Sequence, residues 1–375
     1  MNRKLMLMAS LLAALVISGC SNLKTATKSS SSLTSFLGVS ELPDWYITSR
    51  YSYLDSYWII NDFGHSIHYR DLGEGPTVLL IHGEMDSVHA WEPWIENLSA
   101  NFRVIAIDLP GAGLTGATHC VDDNTATCAD NLSQEYLEHT LEYFIDDLNL
   151  RDLNIVASSY GGFLAANYAL KRPDNVEKLV LISPAGFQQE TPASLALVTN
   201  TGIISRYFQP AMMVTNIISD FFAGDSLSAA HSKRFLHLSQ GEGMQISNIV
   251  QLTLVEDLMD HGTTSNFDQL QTETLVLWGE KDAWSSFTLA KQWDETLPNS
   301  QLISYPELGH ELMLEYPELT VADVSAYFLG DPMPSIEGLG IEGSFTIDDA
   351  ASELNREDLF GPGSQAEEQE MLDEL

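Results

Sequence analysis

Ser159, Asp282 and His310 are the residues of this chain whose types and order could carry out nucleophilic chemistry. A serine hydroxyl attacks a carbonyl only when a base takes its proton, and a neutral histidine does this best near neutral pH. The histidine in turn needs an acceptor on its other ring nitrogen to fix its orientation. Ser159 stands in Ser158-Ser159-Tyr160-Gly161-Gly162, directly after the apolar run Leu153–Ala157 and before a helical stretch. A strand, a tight turn of small residues and a helix lift one hydroxyl out of a sheet. They aim it at a helix N-terminus, where free backbone N–H groups can hold an oxyanion. Asp282 follows the run Leu275–Trp278 through Gly279-Glu280-Lys281, and His310 follows Leu308-Gly309 after a later run. The fourth part is Ile81-His82-Gly83-Glu84, a turn that brings the backbone N–H of Glu84 to meet that of Tyr160 at the oxyanion. His82 and Gly83 support this turn and have no acid–base role. Each feature alone is common; the specific signal is their conjunction, in this order.

These residues need a scaffold, and the hydrophobic pattern supplies one. Tyr57–Ile60 and Ile67–Tyr69 flank Asn61-Asp62-Phe63-Gly64, which predicts a hairpin. Val78–Ile81 and Arg103–Ile107 are β-branched runs that read as buried strands, with a helix around Trp91–Leu98 between them. Ser133-Gln134-Glu135 opens a helix carrying apolar Tyr136, Leu137, Leu141, Phe144, Ile145 and Leu148. Leu153–Ala157 and Lys178–Ser183 are the next strands, joined by a helix from Tyr160 to about Lys171. Strands resume at Thr274–Trp278 and Gln301–Tyr305, and a helix around Thr320–Leu329 closes the domain. This alternation predicts an α/β fold with a mostly parallel central sheet and helices on both faces. Ser159, Asp282 and His310 then share its carboxyl edge. Between the late strands, residues 187–266 show no strand-like run but helical stretches such as Met212–Phe222 and Ile246–Met259. The segment reads as a helical cap or a separate interaction module. Its apolar Phe208, Met212, Met213, Phe221 and Phe222 suit either its own core or a hydrophobic acyl or aryl group.

The ends of the chain read differently. Arg3 and Lys4 precede an apolar run from Leu5 to Ile17, too short to span a bilayer comfortably and followed by small residues. That is the pattern of a secretory signal over residues 1–19, and export follows. The ending Ile17-Ser18-Gly19-Cys20 resembles the lipobox of bacterial lipoproteins, which implies cleavage before Cys20, acylation of that cysteine and a membrane anchor. Ser21 in the next position resembles an outer-membrane address. Residues 20–44 form a Ser/Thr/Lys-rich tether, 45–186 with 267–330 the catalytic body, 187–266 the cap, and 331–375 an acidic tail with 13 Asp+Glu and one arginine. Cys120 and Cys128, the two remaining cysteines, are candidates for a disulfide in an oxidising compartment, with two free thiols as the alternative. No metal-ligand spacing accompanies them, and no cofactor motif is visible. The whole chain of 375 residues has 17 Lys+Arg against 53 Asp+Glu, a net charge of −36, which argues against a nucleic-acid partner.

Taken together, His82-Gly83, Asp108-Leu109-Pro110-Gly111-Ala112-Gly113, the Ser159 turn, Gly279-Glu280-Lys281-Asp282 and Gly309-His310 resemble the α/β-hydrolase superfamily, cap-bearing branch. The likeness covers roughly Pro43 to Leu329. It implies a serine hydrolase of small-molecule esters, with Ser159 as nucleophile, His310 as base, Asp282 as orienting acid and no cofactor. Lactone, amide or carbon–carbon bond cleavage and perhydrolysis on the same triad remain open. So does a catalytically weak lipid-binding or envelope-assembly lipoprotein. Asp108 is in this family a structural turn residue. Two positions depart from the pattern. Ala157 replaces the first glycine of G-x-S-x-G, adding a methyl at a crowded site. Glu84 places a carboxylate beside a developing oxyanion, which opposes it. The sequence leaves open whether that side chain points away, is protonated, recognises a cationic or hydroxylated substrate, or marks weakened catalysis.

Overall fold

The computed structural model describes residues 42–117, 132–200, 229–241 and 243–335. Cys20, Cys120, Cys128 and the cap stretch Met212–Phe222 lie outside them. The chain divides into two units, Met1–Val321 and Ala322–Leu375.

The first unit is built on an eight-stranded sheet in the order β1-β2-β4-β3-β5-β6-β7-β8. Its strands are β1 (Ser56–Ile60), β2 (Ser66–Leu72), β3 (Thr77–Ile81), β4 (Arg103–Ile107), β5 (Leu153–Ser158), β6 (Val176–Ile182), β7 (Glu273–Gly279) and β8 (Ser300–Tyr305). β1 and β2 form the expected antiparallel hairpin, and β2 also runs antiparallel to β4. Every later pairing is parallel. Asn61 closes the hairpin: its side-chain oxygen accepts the N–H groups of Phe63 (3.1 Å) and His65 (2.9 Å), the local turn chemistry that asparagine offers. The central strands β3 and β5 are buried almost throughout, so their continuous aliphatic runs have core on both faces.

Helices α1 (Asp44–Tyr51), α2 (Glu92–Leu98), α3 (Gln134–Asp147), α4 (Ser159–Lys171), α5 (Ala193–Asn200), α6 (Ala229–Leu238), α7 (Met244–His261), α8 (Thr288–Thr296) and α9 (Leu312–Glu315) accompany the sheet. The expected capping of α3 is present: the Ser133 hydroxyl accepts the Tyr136 N–H at 3.2 Å. α2 covers the helix expected around Trp91–Leu98 and is preceded by a 3₁₀ turn, Val88–Trp91, initiated at Ser87. The described parts of 187–266 contain the helices α5, α6 and α7, joined to the sheet by irregular chain at 187–192 and 262–266. A final helix, α10 (Pro317–Leu329), begins in the first unit and carries the chain into the second. There Asp323 accepts hydrogen bonds from the backbone N–H and the hydroxyl of Ser335.

β3 is flanked by β4 on one side and β5 on the other, so the direction in which strands are added reverses there. In an open parallel sheet a crevice forms at the carboxyl ends of such strands. The turn at His82 leaves β3 and the turn at Ser159 leaves β5, which puts both at that crevice.

Candidate active site

Ser159 is the first residue of α4 and sits at φ +50°, a left-handed conformation that a serine adopts at a cost of about 1–3 kcal/mol. Packing enforces the strain. A Cβ added at Gly161 would lie 2.2 Å from the His82 carbonyl oxygen, so only glycine allows the helix start to approach the β3 turn this closely. Ala157, the departure from the usual pattern, is fully buried and keeps its place in the ladder opposite Ile81 and Leu181. The Ser159 hydroxyl is buried and, among the described residues, has no hydrogen-bond partner. Its bond to His310 is therefore open in this structure, as resting sites often are before substrate enters.

His310 and Asp282 do meet. Nδ1 of His310 lies 2.7 Å from Oδ2 of Asp282, and both side chains are out of solvent. The other carboxyl oxygen of Asp282 accepts the N–H groups of Trp284 (2.9 Å) and Ser285 (2.7 Å), which fixes the acid. Gly279 makes this meeting possible, since a Cβ there would stand 2.1 Å from the Gly309 carbonyl oxygen. Burial by itself would lower the titration point of His310. The charge and hydrogen bond of Asp282, followed by Glu311 and Glu84, outweigh it and raise the point to about 9.

His82 is hydrogen-bonded into the turn that leaves β3. Its Nε2 accepts the Leu109 N–H at 2.9 Å and its Nδ1 faces the Gly83 carbonyl at 2.6 Å, which defines a neutral tautomer. Burial lowers its titration point and keeps it so. Asp108 is structural too. It accepts the N–H groups of Val88 and Leu114, each at 2.7 Å, and meets His68 Nδ1 at 2.7 Å. Burial would raise its titration point, but the His68 hydrogen bond and nearby imidazoles hold it below the ordinary value.

The unexpected feature is Glu84. Its side chain does not point away: Oε2 accepts the Tyr160 N–H at 3.3 Å and Oε1 accepts the indole N–H of Trp284 at 2.8 Å. One of the two backbone donors expected to hold an oxyanion is thus engaged by a carboxyl group of the same protein. Trp284, two residues beyond Asp282, had no functional reading in the sequence, because a tryptophan in that loop looks like core. Gln251 was also missed. From α7 it accepts the Met85 N–H at 2.7 Å and donates to the Gly111 carbonyl at 2.7 Å, so α7 clamps the turn that follows Glu84. Only α7's register across the sheet edge reveals it.

Fold and site together define a hydrolase architecture, and comparison with known proteins places it. Residues 76–317 match the family model described as alpha/beta hydrolase fold, and the chain belongs to that family. It is similar to a 2-hydroxy-6-oxononadienedioate/2-hydroxy-6-oxononatrienedioate hydrolase of Comamonas testosteroni, 23% identical over 68% of this chain and 90% of that protein. It is similar also to a pimeloyl-[acyl-carrier protein] methyl ester esterase of Nitrosomonas europaea, 24% identical over 68% of this chain and 97% of that one. Among solved structures, an esterase from Exiguobacterium antarcticum superposes with a TM-score of 0.63 at 22% identity, covering 72% of this chain and 98% of that chain. These relatives are hydrolases, and a hydrolase is what the chain is.

Proposed function

We propose that the protein hydrolyses carboxylic esters of small molecules with a hydrophobic acyl or aryl group, through an acyl-enzyme on Ser159. The reading is carried by the buried Asp282–His310 pair at 2.7 Å beside a serine held at φ +50° on the turn that leaves β5. In this reading His310 takes the Ser159 proton as Oγ attacks the ester carbonyl, and Asp282 holds the imidazole. The tetrahedral oxyanion takes over the Tyr160 N–H as Glu84 gives way, with the Glu84 backbone N–H as the second donor. His310 returns the proton to the leaving alcohol. Water, deprotonated by His310 in the same way, then cleaves the ester on Ser159.

The relative from Comamonas testosteroni keeps carbon–carbon bond hydrolysis as a second reading on the same residues. For localisation we propose a protein exported and lipid-anchored on Cys20, supported by the apolar run Leu5–Ile17 and the small residues before that cysteine. The test is turnover of p-nitrophenyl esters of increasing acyl length by the full chain in detergent, with labelling by a fluorophosphonate. Ser159→Ala is expected to abolish labelling and to lower turnover by roughly 10⁴-fold or more. A folded protein that neither turns over an ester nor reacts with the probe overturns the reading.

A further inference from the structure

The proposed reaction needs the Tyr160 N–H when the oxyanion forms, and in the resting structure Glu84 Oε2 accepts it at 3.3 Å. The carboxyl must therefore yield, and its surroundings limit how it can. The turn that carries it is fixed. A Cβ added at Gly83 would lie 3.0 Å from the Ser159 Cβ, so this turn packs directly against the nucleophile. The next residue, Met85, gives its N–H to Gln251 at 2.7 Å. Rotation about the bonds of the Glu84 side chain is what remains to clear the donor. Glu84 is 3% exposed and Trp284, its other partner, 1%, so bulk water does not take a donor's place. A buried carboxyl without a donor is strongly disfavoured. Glu84 can surrender the Tyr160 N–H only while another donor keeps hold of it.

Trp284 supplies that hold. Its indole N–H reaches Glu84 Oε1 at 2.8 Å, the shorter of the two bonds, and it meets the carboxyl oxygen that Tyr160 does not. One bond can therefore break while the other persists. The ring is mounted on a pinned piece of chain. The Trp284 N–H bonds Asp282 Oδ1 at 2.9 Å, and the Trp284 carbonyl accepts from Gln189 Nε2 at 3.1 Å. The indole thus keeps its place as the carboxyl turns on it.

We propose that Trp284 is a positioning residue for ester cleavage: its indole N–H retains the Glu84 carboxyl while the oxyanion displaces that carboxyl from the Tyr160 N–H. This rests on the ester reading above and adds what frees the oxyanion donor. Without the indole N–H, the Tyr160 N–H is the carboxyl's remaining donor among the described residues, and the carboxyl competes with the oxyanion for it.

The test is a double-mutant cycle on the full chain in detergent, with p-nitrophenyl butyrate as a neutral ester. Trp284→Phe keeps an aromatic ring and the backbone bond to Asp282 but loses the indole N–H. It is expected to lower kcat about tenfold with KM little changed, since the freed donor is needed once the oxyanion forms. Glu84→Ala keeps its own backbone N–H and removes the competing carboxyl. In that background Trp284→Phe is expected to cost less than about twofold, so removal of Glu84 rescues the tryptophan variant. A tryptophan that only shapes the Asp282 loop would cost the same in both backgrounds, and that result overturns the role. A rise in kcat on Trp284→Phe alone also overturns it, because the indole would then be holding Glu84 on the donor. If thermal melting shows that Trp284→Phe does not fold, benzothienylalanine at position 284 replaces it with the same expectations. That side chain keeps the two-ring shape and lacks the N–H. If neither the unaltered protein nor Glu84→Ala cleaves an ester, the ester reading fails and this role falls with it.

Discussion

A histidine that titrates at about 9 is protonated in all but about one molecule in a hundred at pH 7, and a protonated imidazole takes no proton from serine. The pH dependence of this site therefore follows from which groups surround His310. Its folded-state titration point is raised, so the neutral base appears only as pH rises through about 9. The expected kcat/KM grows close to tenfold per pH unit from 7 and levels off near 9, measured with an ester whose own charge is constant. Glu311→Gln removes one of the groups that raise His310, and the midpoint is expected to move to lower pH. A profile flat between pH 7 and 9 would mean that His310 is already neutral and that the neighbouring carboxyls do not act on it. Glu84→Gln separates charge from shape. It retains an acceptor for the Trp284 indole but loses the anion at the Tyr160 N–H. Turnover of a neutral ester is expected to rise in that variant, while a loss would show that the carboxylate serves the reaction itself.

Between single residues and the whole molecule, the elements act as fixtures, and their close approaches set the precision of the site. α7 reaches across the sheet edge with Gln251, and Met85, whose N–H it binds, is itself at φ +60°. Gln251→Ala leaves that buried N–H without an acceptor, a cost of about 1–3 kcal/mol. A thermal melt is expected to fall and kcat to fall with it, because the turn carrying Glu84 loses its clamp. Gln251→Glu, which keeps an acceptor for Met85, should recover most of the stability; equal loss in both variants would show that the contact with Gly111 is the one that matters. At this scale much was legible in the sequence. Periodicity placed the parallel strands and α3, because buried aliphatic runs and a 3.6-residue repeat are local signals. The turn at Ser159 and the loops of Asp282 and His310 were legible because strand, small residues and helix follow in direct succession. What escaped is non-local. α1 has little apolar pattern and is tied down by distant partners, through the Tyr51 hydroxyl to His237 Nδ1 at 2.7 Å and the Tyr51 carbonyl to His89 Nε2 at 3.0 Å. α8 and the four-residue α9 also went unread, α8 although Leu289, Ala290 and Trp293 share a buried face. The engagement of Glu84 required knowing that a tryptophan two hundred residues later would face it.

The molecule combines a strongly negative charge with exposed apolar side chains that, among the described residues, gather in one stretch. Among the described residues, the exposed large apolar side chains concentrate at the start of the first unit: Trp45 on α1, Leu54, Tyr57, Trp58 and Ile60 on or next to β1, and Phe63 in the hairpin. β1 is an edge strand, and an exposed apolar edge is an aggregation hazard unless something covers it. The described structure begins at residue 42, immediately before this stretch. A lipid on Cys20 would hold Trp45, Tyr57 and Trp58 against a bilayer, whose interfacial zone favours amphipathic aromatic rings. No helix among the described residues is long and apolar enough to cross a membrane. The net charge of −36 decides which lipids would suit it, because anionic headgroups repel the protein and zwitterionic ones do not. The unlipidated Cys20→Ser protein is accordingly expected to bind weakly to phosphatidylcholine vesicles and less to vesicles containing phosphatidylserine, with a blue shift of tryptophan emission. Trp58→Ser together with Phe63→Ser should remove most of that binding and leave labelling of Ser159 unchanged. Binding that persists in the double variant would place the contact elsewhere on the surface. Stronger binding to the anionic vesicles would show that a local basic patch, and not the overall charge, governs how the protein meets a membrane.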